Sequence, residues 1–141
     1  MTSNRFRFRA WDKSFQKYRE NVIVSTINEE ITVYERLVNG NTLLIPSAHV
    51  VLEQCTGLKD KNGRLIYEGD IIKITGDVMT IGLKYMDCLF KVIWEDNGFW
   101  FEMLDENDCL GFCEYWEYEV VGNIHKNPEL LEGKNENKRF I

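Results

Sequence analysis

Apolar and polar residues alternate with period two at the start of this chain, in Arg5-Phe6-Arg7-Phe8-Arg9. Such alternation marks a strand with one face on a core and one in solvent. It places Phe6 and Phe8 on one side and the three arginines on the other. Asp12-Lys13-Ser14 reads as a turn, and Gln16-Lys17-Tyr18 as the start of the returning strand of a hairpin. Short β-branched or apolar runs follow at Val22–Val24, Ile31–Tyr34 and Thr42–Ile45. Between them lie Asn28-Glu29-Glu30 and Asn39-Gly40-Asn41, which have turn composition. The first fifty residues therefore predict a β-meander, broken at Pro46-Ser47.

The second half continues in short strands with glycine corners. Asn62-Gly63 predicts a hairpin with a type I′ turn, in which both residues take positive φ. Gly69 bends the chain before a strand begins at Ile71. Thr80–Tyr85, Leu89–Trp94 and the run from Phe99 read as strands, with Asp96-Asn97-Gly98 as a turn. Glu114–Val121 alternates again, with Trp116, Tyr118 and Val120 on one side and Tyr115, Glu117 and Glu119 on the other. Asn127 then stands as the N-cap of a short helix with Pro128 at its first position. The expected fold is mainly β: an N-terminal β-meander, a small SH3-like barrel-type half by architectural analogy, and a short C-terminal helical turn. It occupies one domain over residues 1–132, with sub-halves 1–52 and 53–132, followed by a polar tail over 133–141.

Length and charge narrow the classes of function. At 141 residues the chain makes about one domain and buries enough surface to need neither disulfide nor metal. The net charge of −6 argues against a nucleic-acid footprint over the whole surface. The charge is nonetheless polarised. Arg5, Arg7, Arg9, Lys13, Lys17 and Arg19 make the start basic, whereas residues 95–119 carry nine carboxylates and no Lys or Arg. That polarity suits steering between two copies, or toward a basic partner; its bland reading is two solvated strand faces. No apolar run reaches the ~20 residues of a membrane span. No hydrophobic signal core opens the chain. Cys55, Cys88, Cys109 and Cys113 show no CxxC pairing and read as reduced cytosolic thiols.

Three separated segments carry a family resemblance. They are Phe8-Arg9-Ala10-Trp11-Asp12, then Thr56 to Gly63 continuing through Ile66-Tyr67-Glu68-Gly69-Asp70-Ile71, and Glu119 to Leu130 with Gly122-Asn123 and Asn127-Pro128. In this order the chain resembles the YopX family of phage and prophage proteins over residues of about 5–131, the middle segment being the most specific. One departure is Cys55, where an aromatic residue is usual before Thr-Gly. The resemblance implies a gene of a bacteriophage or prophage of low-GC Gram-positive bacteria or their relatives, a mainly β fold and a bacterial cytoplasmic setting. It implies no activity, no cofactor and no catalytic residues.

The same segments supply the candidate interaction surface: Arg5, Arg7, Arg9 and Trp11 on the first strand, and Lys59, Asp60 and Lys61 at the middle turn. Each has a structural alternative. Trp11 either stacks on a partner or caps the core, with Asp12 binding turn amides. Lys59–Gly63 is either a functional loop or a register-setting hairpin turn. Glu68 and Asp70, about 6.5 Å apart on a strand, suit acid–base or metal chemistry, but Asp70 more simply satisfies donors at the corner. Cys109, Cys113 and His125 suggest a zinc site, yet on one strand the two thiols would lie ~13 Å apart. No phosphate loop, nucleophile elbow or zincin motif is present.

The leading expectation is a non-enzymatic accessory protein that acts through protein contacts, as a homo-oligomer or on a host or phage protein. The alternative is a nucleic-acid-binding module using the basic strand with Phe8 and Trp11. An enzyme or metal protein ranks third. No catalytic residue, metal site, cofactor or membrane partner is expected.

Overall fold

The computed structural model describes residues 7–19, 21–27, 29–76, 85–106 and 108–131. Arg5 and Phe6, Asn28, residues 80–84 of the strand expected at Thr80–Tyr85, and the tail over 133–141 lie outside the described residues. The fold is mainly β, with a curled half-barrel sheet and a short helical turn near its end. Two compact units divide the chain, Met1–Cys55 and Thr56–Ile141. No helix among the described residues is long and apolar enough to cross a membrane.

The first unit begins with the expected hairpin, β1 (Phe8–Asp12) and β2 (Lys17–Arg19). Then come β3 (Val22–Ile27), β4 (Glu30–Arg36) and β5 (Thr42–Ile45), an antiparallel meander in sequence order, and a 3-10 turn at Ser47–His49. The long β6 (Val50–Lys59) continues from there across the boundary of the units, and its first half pairs antiparallel with β1. Ala10, Val33 and Ile45 form the buried centre, with Val22, Val50 and Leu52 packed against it.

The expectation of a solvated arginine face on β1 fails, and the register explains why. With β2 on one edge and β6 on the other, β1 is a central strand. Arg9 lies opposite Glu53, and Trp11 between Tyr18 and Val51. These neighbours cover the second face, so Ala10, Trp11 and Asp12 are all buried.

In the second unit the latter half of β6 lies beside β7 (Leu65–Tyr67). Gly57, at φ 85°, interrupts β6 shortly before that turn. The loop joining β6 and β7 differs from the expected type I′ turn. Gly63 has positive φ at 81° but Asn62 does not. The amide of Gly63 donates to the carbonyl of Asp60 (2.9 Å), and that of Asp60 to the carbonyl of Arg64 (2.7 Å). This is a turn followed by one left-handed glycine, the three-residue alternative for a hairpin.

Five further strands, β8 (Asp70–Thr75), β9 (Leu89–Glu95), β10 (Gly98–Met103), β11 (Cys109–Leu110) and β12 (Glu117–Asn123), form an antiparallel sheet ordered β11-β10-β9-β8-β12. Its inner face holds Ile72, Ile74, Phe90, Val92, Phe101, Met103, Tyr118 and Val120 around Ile66. Tyr118 and Val120 point inward as the alternation predicts. The two-residue turn at Asp96-Asn97 has positive φ at both positions. β11 is too short to leave a periodic signal and was not anticipated.

The register of β12 against β8 shifts between Val120 and Gly122, so Val121 bulges outward. Gly122 sits beneath the C-terminal segment, whose helical turn includes 129–131 among the described residues. A Cβ added there would lie 2.8 Å from Leu130 Cδ1 and 2.9 Å from Asn127 Oδ1. Gly122→Ala is therefore expected to lower unfolding stability by about 1–3 kcal/mol through overpacking. Urea denaturation checks this, and Leu130→Ala in the same chain should recover part of the loss.

Candidate functional site

The residues that carry the family resemblance come together chiefly as an internal hydrogen-bond network. Asp60, 6% exposed, stands at its centre. Its Oδ1 accepts from the amides of Asn62 and Arg64, each at 2.9 Å. Its Oδ2 accepts from the amide of Val120 at 3.0 Å, sixty residues away on β12. The amide of Lys61 reinforces this link by donating to the Tyr118 carbonyl (2.8 Å). Burial alone would raise the pKa of Asp60; the amides of Val120, Arg64 and Asn62 and the charge of Arg64 outweigh it and hold the carboxyl below its ordinary value.

A second node lies at the Gly69 corner. Gly69, at φ 88°, donates its amide to the Val92 carbonyl (2.9 Å) and accepts from the amide of Ile124 (3.0 Å). Asp70 Oδ2 accepts from the Tyr67 amide (2.8 Å), and Asn123 Nδ2 donates to Asp70 Oδ1 (3.4 Å). Glu68 and Gly69 occupy the turn while Asp70 starts β8, so the two carboxylates do not share the strand face that a pairing at i and i+2 assumes. Asn127 also departs from its expected capping role. Its Oδ1 accepts from the amide of Asn123 (3.1 Å), turning back to β12. Asn123 Oδ1 in turn accepts from the amide of His125 (2.8 Å). Upstream, Thr56 Oγ1 donates to the Ile66 carbonyl (2.8 Å) and accepts from the Leu58 amide (3.1 Å).

The first unit has its own buried charges. Arg9 Nε donates to Glu53 Oε1 at 2.9 Å and the Tyr18 hydroxyl to the same oxygen at 2.8 Å, with the guanidinium 4.4 Å from the Tyr18 ring centroid. Arg19 binds Asp12 Oδ2 through Nε (3.0 Å) and a terminal nitrogen (2.8 Å), and reaches Glu35 at 3.4 Å. Asp12 Oδ1 accepts from the amides of Ser14 and Phe15, closing the hairpin turn. Although burial opposes it, this set of donors with the Arg19 charge keeps the Asp12 pKa depressed.

The seven candidate surface residues are thus divided. Arg5 lies outside the described residues, and Arg7, Lys59 and Lys61 are exposed. Lys61 stands 3.6 Å from Glu119. Arg9 turns inward to Glu53. Trp11 and Asp60 are buried, at 4% and 6% exposure, so both belong to the interior rather than to a surface. Among the described residues no three His, Cys, Asp or Glu side chains are placed to hold a metal. An open recess of about 390 Å³ in the first unit is lined by Glu29, Ile31, Val33, Ser47, Val50 and Leu52, a largely apolar set with one carboxylate.

Sequence reading missed where apolar surface stays uncovered. Trp94, Trp100, Phe112 and Tyr115 are 47%, 38%, 50% and 79% exposed. Trp94 meets Phe99 edge to face (centroids 4.7 Å apart), and Phe112 leans on Tyr118 at 5.5 Å, so these rings extend the core outward. Trp100 donates its indole N–H to the Glu95 carbonyl (3.0 Å). Exposed Glu95, Asp96, Glu114 and Glu117 accompany them. The pKa of the Cys109 thiol is pushed up, first by partial desolvation and then by the charges of Glu102, Glu95 and Asp108. In the first unit Ile23, Tyr34 and Leu44 lie opposite one another across β3, β4 and β5, with Ile23 39% and Leu44 58% exposed.

Comparison with known proteins agrees with the fold and the motif positions. The family model described as YopX protein matches residues 7–132. The SPbeta prophage-derived uncharacterized protein YopX of Bacillus subtilis is 27% identical over 133 residues, covering 89% of this chain and 96% of its own. The crystal structure of protein EF1440 from Enterococcus faecalis superposes with a TM-score of 0.62 at 32% identity, covering 88% of this chain and 96% of that one.

A depressed carboxyl pKa stabilises the fold above the unfolded value near 3.9, and that contribution disappears as pH falls through the lower folded value. Asp60→Ala leaves three amides without their acceptor and is expected to cost about 3 kcal/mol at neutral pH. The gap from wild type should begin to narrow below about pH 4 and go on narrowing as pH falls through the lower folded value, where the wild-type carboxylate is itself lost. Denaturant titrations at a series of pH values check both points.

Proposed function

We propose, from the premise that this chain belongs to the YopX protein family, that it is a phage- or prophage-encoded accessory protein. It works in the bacterial cytoplasm as a non-enzymatic protein-interaction module and self-associates. The single observation that carries this reading is the exposure of four large aromatic side chains on the second unit, Trp94, Trp100, Phe112 and Tyr115. Aromatic side chains are enriched in protein-contact surfaces. The residues of the family motifs support it from the other side, since Asp60, Asp70, Asn123 and Asn127 are engaged in bonds within the chain. Arg9, the last arginine of the basic stripe on which nucleic-acid binding would rest, is paired with buried Glu53.

A copy of the same chain is the first partner; a host or phage protein with a complementary surface is the second. Sedimentation equilibrium over a wide concentration range tests self-association. The expected result is reversible growth beyond one chain within tens of micromolar, a range typical of modest interfaces. A strict monomer across that range contradicts it.

A further inference from the structure

We propose that the chain associates head to tail, the β1–β2 hairpin tip of one copy docking on exposed Trp94 and the acidic β9–β10 turn of another. This rests on the self-association reading above and names the two surfaces that meet.

The tip is a small plug of defined shape. Phe15 is 68% exposed at its end, between exposed Lys13 and Lys17. The turn around it is ordered: Asp12 Oδ1 takes the amides of Ser14 and Phe15, the Lys13 amide donates to the His49 carbonyl (2.7 Å), and Gln16 Nε2 donates to the Lys13 carbonyl (2.8 Å). An ordered loop loses little entropy when it binds. Arg19 lies 5.2 Å and Lys17 6.0 Å from the centroid of the Phe15 ring, yet the ring stays mostly exposed, as does Lys13 beside it.

The receiving surface is its complement in charge and chemistry. Trp94, 47% exposed, leaves its ring open to an incoming aromatic or cationic group. Glu95 and Asp96, exposed at the turn that follows it, open the stretch over 95–119 that holds no Lys or Arg. Lys13 and Lys17 of one copy would therefore meet negative charge without a competing cation from that stretch. Because tip and receptor are different patches, the contact is heterologous, and repeated contacts close into a ring or extend into a filament.

Two charge-reversed proteins test this. Lys13→Glu with Lys17→Glu disables the tip, and Glu95→Lys with Asp96→Lys disables the receptor; all four side chains are exposed, and circular dichroism checks that both variants fold. Each variant alone is expected to lose at least about tenfold in association constant at low salt. Mixed together, the unaltered tip of one variant meets the unaltered turn of the other, and the reversed tip meets the reversed turn, so every contact again joins opposite charges and assembly should return. Leu44→Ser, on the separate exposed row of the first unit, should leave assembly unchanged. If wild type assembles and the Lys13/Lys17 variant assembles equally well, or the mixture fails to pair, the head-to-tail pairing is overturned while self-association stands. If Leu44→Ser alone dissolves the assembly, the other face is the interface and this pairing is likewise overturned. A wild type that never leaves the monomer removes the self-association reading and this pairing with it.

Discussion

The carboxylate of Asp60 is the interaction on which the second unit depends. Both oxygens are used, one to shape the loop between β6 and β7, the other to hold the Val120 amide of β12. A charged group buried at 6% exposure is costly unless its acceptor sites are filled. Here local and distant amides fill them together, so the loop and the last strand are stabilised as one event. The bulge beyond Val120, the closely covered Gly122 and the Asn123–Asn127 exchange all lie downstream of that contact. The Gly69 corner forms a second anchor between β8 and β12, through Asp70 and Asn123. Among the described residues no buried side-chain polar atom lacks a partner, so the polar interior is fully satisfied.

The first unit uses charge in the same way and thereby changes its surface. Arg9 with Glu53, and Arg19 with Asp12, put two of the basic residues near the N-terminus into ion pairs whose carboxylates are almost wholly buried. What the sequence presents as a basic stripe is, once folded, drawn inward at Arg9 and Arg19, while Arg7 stays exposed and Lys13 and Lys17 form a positive tip. The acidic stretch after Glu95 keeps its carboxylates outside, beside aromatic rings. The polarity of the chain therefore survives folding, narrowed to two small surfaces rather than spread along two strands.

Much of the fold was legible because it rests on local signals. Alternation located β12 and its inward Tyr118 and Val120, and β-branched runs located β3, β4 and β5. Gly69 marked a real corner. The misses share a cause: each depends on a partner distant in sequence. Arg9 looked solvated because Glu53, forty-four positions on, is invisible to a periodicity argument. Asn62-Gly63 suggested a type I′ turn because the Asp60 side chain, which selects the three-residue form, was read only as part of a charged loop. Asn127 suggested a cap because its bond to the Asn123 amide follows from a bulge that no local pattern announces. Alternation put Tyr115 on the side of Glu117 and Glu119, and it is exposed, but for Trp94 and Phe112 composition does not tell a covered ring from an open one.

The family motif and the outward-facing rings therefore occupy different residues. The motif holds the second unit together, and the rings and charges that face outward lie mostly between its segments. That separation requires Asp60 to be an ionised, fully bonded carboxylate in the folded chain. Site-resolved NMR titration of the Asp60 carboxyl, with the Val120 amide proton followed in the same samples, tests this most directly. The expected midpoint lies below the ordinary carboxylate value of 3.8, with the Val120 amide shifting at that same midpoint. A midpoint at or above 3.8, or a Val120 amide indifferent to the titration, would contradict the account.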